Sequence, residues 1–137
     1  MIVLDTNVPS ETSKARRDEN AMRWLAEHDA RLWLPTIALA ELRYGVEKLP
    51  PSRQRTDLEH WLTGLIQHFA GRLIAFDAKA AEAHGRLRAR LRAMGKPMDA
   101  PDSYIAAIAL ANGAPVATRN TGHFTHSGVK LIDPWAG

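Results

Sequence analysis

The sequence contains no cysteine, which excludes disulfide bonds and thiolate metal sites and fits a reducing compartment. No apolar run approaches the roughly 20 residues needed to cross a bilayer. The strand-like N-terminus reaches an acid already at Asp5, and secretory signal peptides do not have that pattern. We therefore expect a cytoplasmic protein with no membrane segment.

Several common catalytic motifs are also missing. There is no phosphate-binding P-loop, no glycine fingerprint for dinucleotides and no Gly-x-Ser-x-Gly nucleophile elbow. The six histidines show no His-x-x-x-His or other zinc-ligand spacing, which argues against a zinc site.

The composition indicates a globular protein with a mildly basic surface. With 137 residues, of which 45% are hydrophobic, the chain fits a single domain over residues 1–137. The formal net charge is only +3, and most of the cations are arginine, the better phosphate ligand. Four arginines alternate along one segment, which is either a solvated helix flank or a nucleic-acid contact surface. They are Arg86, Arg88, Arg90 and Arg92.

Apolar periodicity predicts strands that alternate with helices along the whole chain. The predicted strands cover residues 1–4, 31–34, 73–76, 115–117 and 129–132. The predicted helices cover residues 20–28, 36–46, about 52–70, 78–94 and 102–112, with Thr36 and Asp77 as N-caps. This alternation is typical of an α/β fold, in which a parallel sheet carries helices on both faces.

Three acidic residues occupy positions where an acid is unfavourable. Asp5 ends an apolar strand, Glu41 interrupts an apolar helix and Asp102 opens another. Carboxylates that gather at one place repel each other and lose hydration unless a positive charge lies among them. A divalent metal ion is the natural counter-charge.

The predicted sheet offers a place where these acids could meet. Ligands of open α/β sheets bind outside the carboxyl ends of the strands. The segments 5–7 and 118–120 lie at the carboxyl ends of the first and fourth strands. If these strands are neighbours, both segments reach one crevice, which a helix start such as Asp102 could also line.

Such a crevice would suit phosphodiester hydrolysis. Mg²⁺ or Mn²⁺ prefers oxygen ligands, which Asp5, Glu41 and Asp102 would supply. Other nearby groups would assist: Thr6 and Asn7 could orient a water or the first carboxylate, Thr118 could hydrogen-bond the same cluster, and Arg119 or Lys14 could contact substrate phosphate.

Each acid also has a purely structural interpretation. Asp5 could start an Asx-turn, and Asp102 could serve the helix dipole. Glu41 could be accommodated by Arg43 or by solvent. Spacing alone does not show that the three residues meet.

Five motifs together resemble PIN domains, most closely the VapC/FitB-type toxins of bacterial toxin–antitoxin pairs. They are Val-Leu-Asp-Thr-Asn at 3–7, Ala-Glu-Leu-Arg-Tyr-Gly at 40–45, Asp-Ser-Tyr-Ile-Ala-Ala at 102–107, Ala-Thr-Arg-Asn at 117–120 and Pro-Trp at 134–135. Each motif is weak alone, but their order and spacing over residues 1–135 are specific.

The resemblance implies a PIN-like three-layer fold around a parallel sheet of about five strands. It implies a Mg²⁺- or Mn²⁺-dependent endoribonuclease, in a family often directed at tRNA or rRNA, with Asp5, Glu41 and Asp102 as catalytic acids and metal ligands. It also implies a cognate antitoxin that blocks the site, a homodimer, and promoter DNA bound only through the antitoxin.

The sequence departs from the family pattern at the fourth acid. Many relatives carry an acid where this chain has Asn120 or His123, and Asp99 either substitutes for it or caps the following helix. The departure keeps a second hypothesis open, a catalytically weak subunit that acts mainly through a DNA-binding antitoxin. A third, a metal-dependent nuclease on DNA or flap structures, ranks last because such proteins are usually larger and richer in acids.

Overall fold

The computed structural model describes residues 1–137 and is built around five short parallel strands. The strands are β1 (Ile2–Leu4), β2 (Leu32–Pro35), β3 (Leu73–Ile74), β4 (Val116–Ala117) and β5 (Leu131–Ile132). Their order in the sheet is β3-β2-β1-β4-β5, and every neighbouring pair is parallel. The predicted parallel α/β sheet is therefore confirmed, with β1 at its centre.

Six helices connect the strands. They are α1 (Asn7–Glu11), α2 (Glu19–His28), α3 (Thr36–Glu47), α4 (Arg53–His68), α5 (Ala78–Ala93) and α6 (Asp102–Ala111). The helices expected from periodicity are all present, whereas the five-residue α1 was not predicted. None of the helices has the length and hydropathy needed to span a bilayer.

The core lies on both faces of the sheet, because successive strand residues point in opposite directions. Val3 belongs to a cluster formed with residues of α5 and α6, such as Leu87 and Ile105. Its neighbours Ile2 and Leu4 belong to a second cluster, on the side of α1, α2 and α3. These alternating contacts fix β1 between two helical layers, and Asp5 follows directly at the carboxyl end of the strand.

Two helix starts show what the sequence determines locally. Asp77 caps α5 as predicted, since its carboxylate accepts a hydrogen bond of 2.9 Å from the Ala80 amide. Thr36 was predicted to cap α3, and this is wrong. Pro35 holds the N-cap position in extended conformation without a side-chain hydrogen bond, and Thr36 is already the first helical residue.

Candidate active site

Asp5 lies at the carboxyl end of β1 and is held by three hydrogen bonds. Its carboxylate accepts from the Thr118 hydroxyl at 2.8 Å, the Thr6 amide at 2.8 Å and the Asn7 side-chain amide at 3.1 Å. The residue is only 4% exposed. This burial raises the pKa of Asp5, and the three donors oppose the rise by stabilising the ionised form.

The end of β4 completes the support around Asp5. β1 and β4 are neighbours, and the Asp5 amide donates to the Ala117 carbonyl at 2.9 Å. The Thr118 hydroxyl also accepts from the Asn120 amide at 2.9 Å. Asn7 in turn accepts from the Arg119 amide at 3.1 Å. The two segments therefore converge on one crevice, as their places in the sheet predict.

Glu41 enters this crevice from α3. Its carboxylate accepts a hydrogen bond from the Thr6 hydroxyl. Burial raises the pKa of Glu41, and the negative charges of Asp5 and Asp102 raise it further, while the Thr6 bond opposes both. The Glu41 side chain is thus directed at the other acids and not at Arg43, which lies 3.9 Å from Glu47.

Asp102 is the first residue of α6, and its side chain is 22% exposed. Burial raises its pKa most, and the charge of Asp5 adds to this effect. His123 opposes the rise, because its Nδ1 lies 3.2 Å from a carboxylate oxygen of Asp102. The structure therefore brings the three acids into one mutually repelling cluster.

The other residues predicted for the site differ in their surroundings. Asp99 is exposed; its charge also raises the pKa of Asp102. It does not cap α6 through its side chain, since Pro101 is the N-cap residue and no side-chain cap bond forms. Lys14 pairs with Glu11 at 2.8 Å, and the Arg119 guanidinium lies 5.3 Å from the centre of the Trp135 ring.

Sequence reasoning missed one buried acid, Glu11, and one contact of the site, that of His123 with Asp102. Glu11 is only 3% exposed. Its carboxylate pairs with Lys14 and accepts a hydrogen bond of 2.8 Å from the Asp18 amide, and both contacts lower the pKa of Glu11. Glu11 is the last residue of α1, and Lys14 follows three residues later, beyond the end of that helix. The contact of His123 with Asp102 has no local signal, because it depends on how the segment after β4 folds against α6.

Comparison with known proteins decides the family. The PIN domain model matches residues 2–128, which is nearly the whole chain. The chain belongs to the PIN-domain family.

Curated relatives of this PIN domain include toxins and nucleases. It is 41% identical to "VapC ribonuclease Y4jK" of Sinorhizobium fredii, over 98% of each chain. It is also 41% identical to "Plasmid stability protein StbB" of Pseudomonas syringae pv. tomato, covering 98% of this chain and 99% of that one.

Solved structures agree with this assignment. The crystal structure of FitAcB from Neisseria gonorrhoeae has a TM-score of 0.92 at 36% identity, covering 98% of this chain and 99% of that chain. The structure of FitAB bound to an IR36 DNA fragment has a TM-score of 0.91 at 36% identity, covering 98% and 96%. The PIN domain described here is therefore of the VapC/FitB type.

The acidic cluster of this PIN domain offers the oxygen ligands that a hard divalent cation prefers. Carboxylate and amide oxygens surround the crevice. Burial raises the pKa of all three acids, and a cation would also relieve the repulsion from Asp5 that raises the pKa of Glu41 and Asp102 further. As positioned, no three acidic or histidine side chains are arranged to hold an ion among them. Mg²⁺ commonly binds through one or two carboxylates, with waters and substrate phosphate completing its shell, and the cluster is compatible with that mode.

Proposed function

We propose that this protein is an endoribonuclease toxin that uses Mg²⁺ or Mn²⁺ held by Asp5, Asp102 and Glu41. The single observation that supports this most is the gathering of three buried or half-buried acids at the carboxyl edge of the sheet, where burial raises the pKa of each and Asp5 raises those of Glu41 and Asp102 further. The 41% identity to a protein named VapC ribonuclease supports RNA as the substrate, with tRNA or rRNA as candidate targets.

The residues of the chain divide the work in this proposal. The divalent ion, when bound, supplies positive charge against the phosphate and a water of lowered pKa. Thr118 and Asn7 fix the orientation of the Asp5 carboxylate, and the Thr6 hydroxyl fixes that of Glu41. Asp102 adds a third negative charge, and the exposed Arg119 and Lys14 remain candidates for contacting substrate phosphate.

We also propose the partners of a toxin–antitoxin pair. Similar solved structures hold FitAB with a DNA fragment and VapBC2 of Rickettsia felis with a fragment from their promoter, and VapBC is named as a family of toxin-antitoxin systems. They support a cognate antitoxin for this protein, with promoter DNA bound only through that antitoxin. Within this proposal, residues 1–137 form one domain that acts in the bacterial cytoplasm as a homodimer.

RNA cleavage with Mn²⁺ tests the proposed activity. We expect Asp5→Asn, Asp102→Asn and Glu41→Gln each to abolish cleavage and growth arrest, because each removes one anionic oxygen from the cluster. Glu82→Gln is the matched control, since Glu82 is a solvent-exposed acid on α5. Cleavage that persists in excess EDTA would refute the metal mechanism.

One observation favours the second candidate, a weakly catalytic subunit that acts through its antitoxin. His123 lies where relatives often carry an acid, and its ring contacts Asp102 at 3.2 Å. A calorimetric titration with Mn²⁺ separates the two candidates. Uptake of the ion that is lost in Asp102→Asn supports the nuclease, whereas no uptake by the wild-type protein supports the binding subunit.

A further inference from the structure

A cavity of about 620 Å³ adjoins the acidic cluster and is lined by residues of α1, α3 and α4. Thr6 and Glu41 belong both to this cavity, called here the α3 groove, and to the acidic cluster. Tyr44, Lys48 and Trp61 line it further away from Asp5. Its volume is within the range of about 300–1,000 Å³ that is usual for small-ligand sites.

One face of α3 carries three functional groups into or beside the groove. Glu41, Tyr44 and Lys48 follow each other at intervals of three and four residues, so they lie along one stripe of the helix. Tyr44 is 68% exposed and is one of only four large hydrophobic side chains that are exposed. The Lys48 ammonium lies over the Tyr44 ring, 5.6 Å from the centre of that ring. The ring is thus largely exposed and has a cation over one face.

Gly45 keeps the groove open. A glycine inside a helix destabilises it by about 0.5–1 kcal/mol relative to alanine. Packing does not require a glycine here, because a Cβ atom at this position would meet no other atom within 4 Å. The residue lines the groove, so a larger side chain would project into empty space that a ligand could otherwise use.

We propose that the α3 groove binds one nucleotide of single-stranded RNA next to the scissile phosphate. This inference rests on the proposed ribonuclease function. The base stacks on the Tyr44 ring and Lys48 contacts a flanking phosphate, since aromatic platforms beside cations are the usual means of holding unpaired bases. Half of the lining residues are hydrophobic, so the choice of RNA rests on the Lys48 ammonium beside the exposed Tyr44 ring and on the adjoining acids. The hydroxyl groups of Thr6, Ser10 and Ser13 add polar contacts.

Fluorescence anisotropy with a short end-labelled oligouridylate tests this site, in EDTA so that the probe stays intact. We expect Tyr44→Ala to weaken binding about tenfold, in line with the loss of one stacked base. Tyr44→Phe keeps the ring and should bind like the wild type. Tyr44→Leu keeps an apolar side chain without a ring and should bind as weakly as Tyr44→Ala. Met94→Ala is the control, since Met94 is an exposed apolar side chain outside the groove.

Two further measurements do not depend on removing the ring. Gly45→Leu should improve the helix and fill the groove, so the variant should unfold at or above the wild-type temperature while binding the probe about tenfold more weakly. Lys48→Gln should reduce the slope of log Kd against log salt concentration by about 0.7, the effect of one phosphate contact on a single strand.

The outcomes separate the groove from the nuclease function. A wild-type protein that neither binds nor cleaves RNA would refute the nuclease function and the groove proposal together. A wild-type protein that binds the probe, with Tyr44→Ala and Gly45→Leu both binding it as tightly as the wild type does, would overturn only the groove proposal and leave the cavity to a peptide partner. A 5-iodouridine probe that photocrosslinks to Tyr44 would support the proposal directly.

Discussion

Replacing Thr118 with valine removes a single hydroxyl group from the support of Asp5 and leaves the shape of the side chain almost unchanged. Thr118 is fully buried, and its hydroxyl donates to the Asp5 carboxylate at 2.8 Å. The same hydroxyl accepts a hydrogen bond from the Asn120 amide. Asn120 is exposed, so water can reach that amide. The main effect of the change is therefore on the ionised form of Asp5.

The size of the effect follows from the charge of the acceptor. A hydrogen bond to a charged group contributes about 1.5–3 kcal/mol, or about 6–12 °C in Tm for a chain of this size. Burial already raises the pKa of Asp5 in the folded protein, and the Thr118 bond opposes that rise. Thr118→Val should therefore raise the folded pKa further.

The sign of the pH dependence follows from proton binding. Between the unfolded pKa of Asp5 and its raised folded pKa, the folded protein binds more protons, so stability falls as pH increases through that interval. The variant should lose more stability than the wild type from acidic to neutral pH. At acidic pH, where Asp5 is protonated, the two should become more similar.

Thermal unfolding at a series of pH values measures this difference. Thr118→Ser retains the hydroxyl and serves as the matched control, although it loses one methyl group. A Tm difference between Thr118→Val and the wild type that is the same at every pH would refute the reasoning. So would an equal pH-dependent loss in Thr118→Ser.

Three further predictions concern charge and capping. Asp102→Asn should raise the Tm in EDTA, because the raised pKa of Asp102 means that its negative charge destabilises the folded protein. The same variant should lose the stabilisation by added Mn²⁺ in a thermal shift assay. Glu11→Gln should lower stability at neutral pH. Because the folded pKa of Glu11 is lowered, the wild-type advantage should disappear as pH falls through that pKa, which pH-dependent urea unfolding would show. Asp77→Ala should cost about 1 kcal/mol in urea unfolding through the lost α5 cap, and a loss equal to that of Asp77→Asn would contradict the capping role.

Much of the fold could be predicted because its signals are local. The apolar residues before Asp5 mark a strand, and Asp77 marks a helix start through its own hydrogen bond. Gly95 follows the end of α5 with a φ of 67°, a conformation that favours glycine. Helix α1 was missed because five residues that include Pro9 are too few to show a helical period.

The site was predictable only in part, for a related reason. The position of Asp5 and Thr118 at the ends of neighbouring strands followed from sheet geometry. The approach of Glu41 to Thr6 and of His123 to Asp102 depends on how α3 and the segment after β4 pack, which no local pattern encodes. Their unfavourable positions in apolar segments singled out the three acids as candidates, and the family resemblance, not their spacing, assigned Glu41 and Asp102 to the same site as Asp5.

The bond between Thr118 and Asp5 joins residues 113 positions apart in the chain. During translation, a nascent chain therefore holds Asp5 and Glu41 long before the geometry of the site exists. Strand β4 must leave the ribosome and insert beside β1 before Asp5 gains its partners. If the protein cleaves RNA, each copy remains harmless to the ribosome and tRNAs that produce it until synthesis is almost complete, and an antitoxin needs to act only on finished chains.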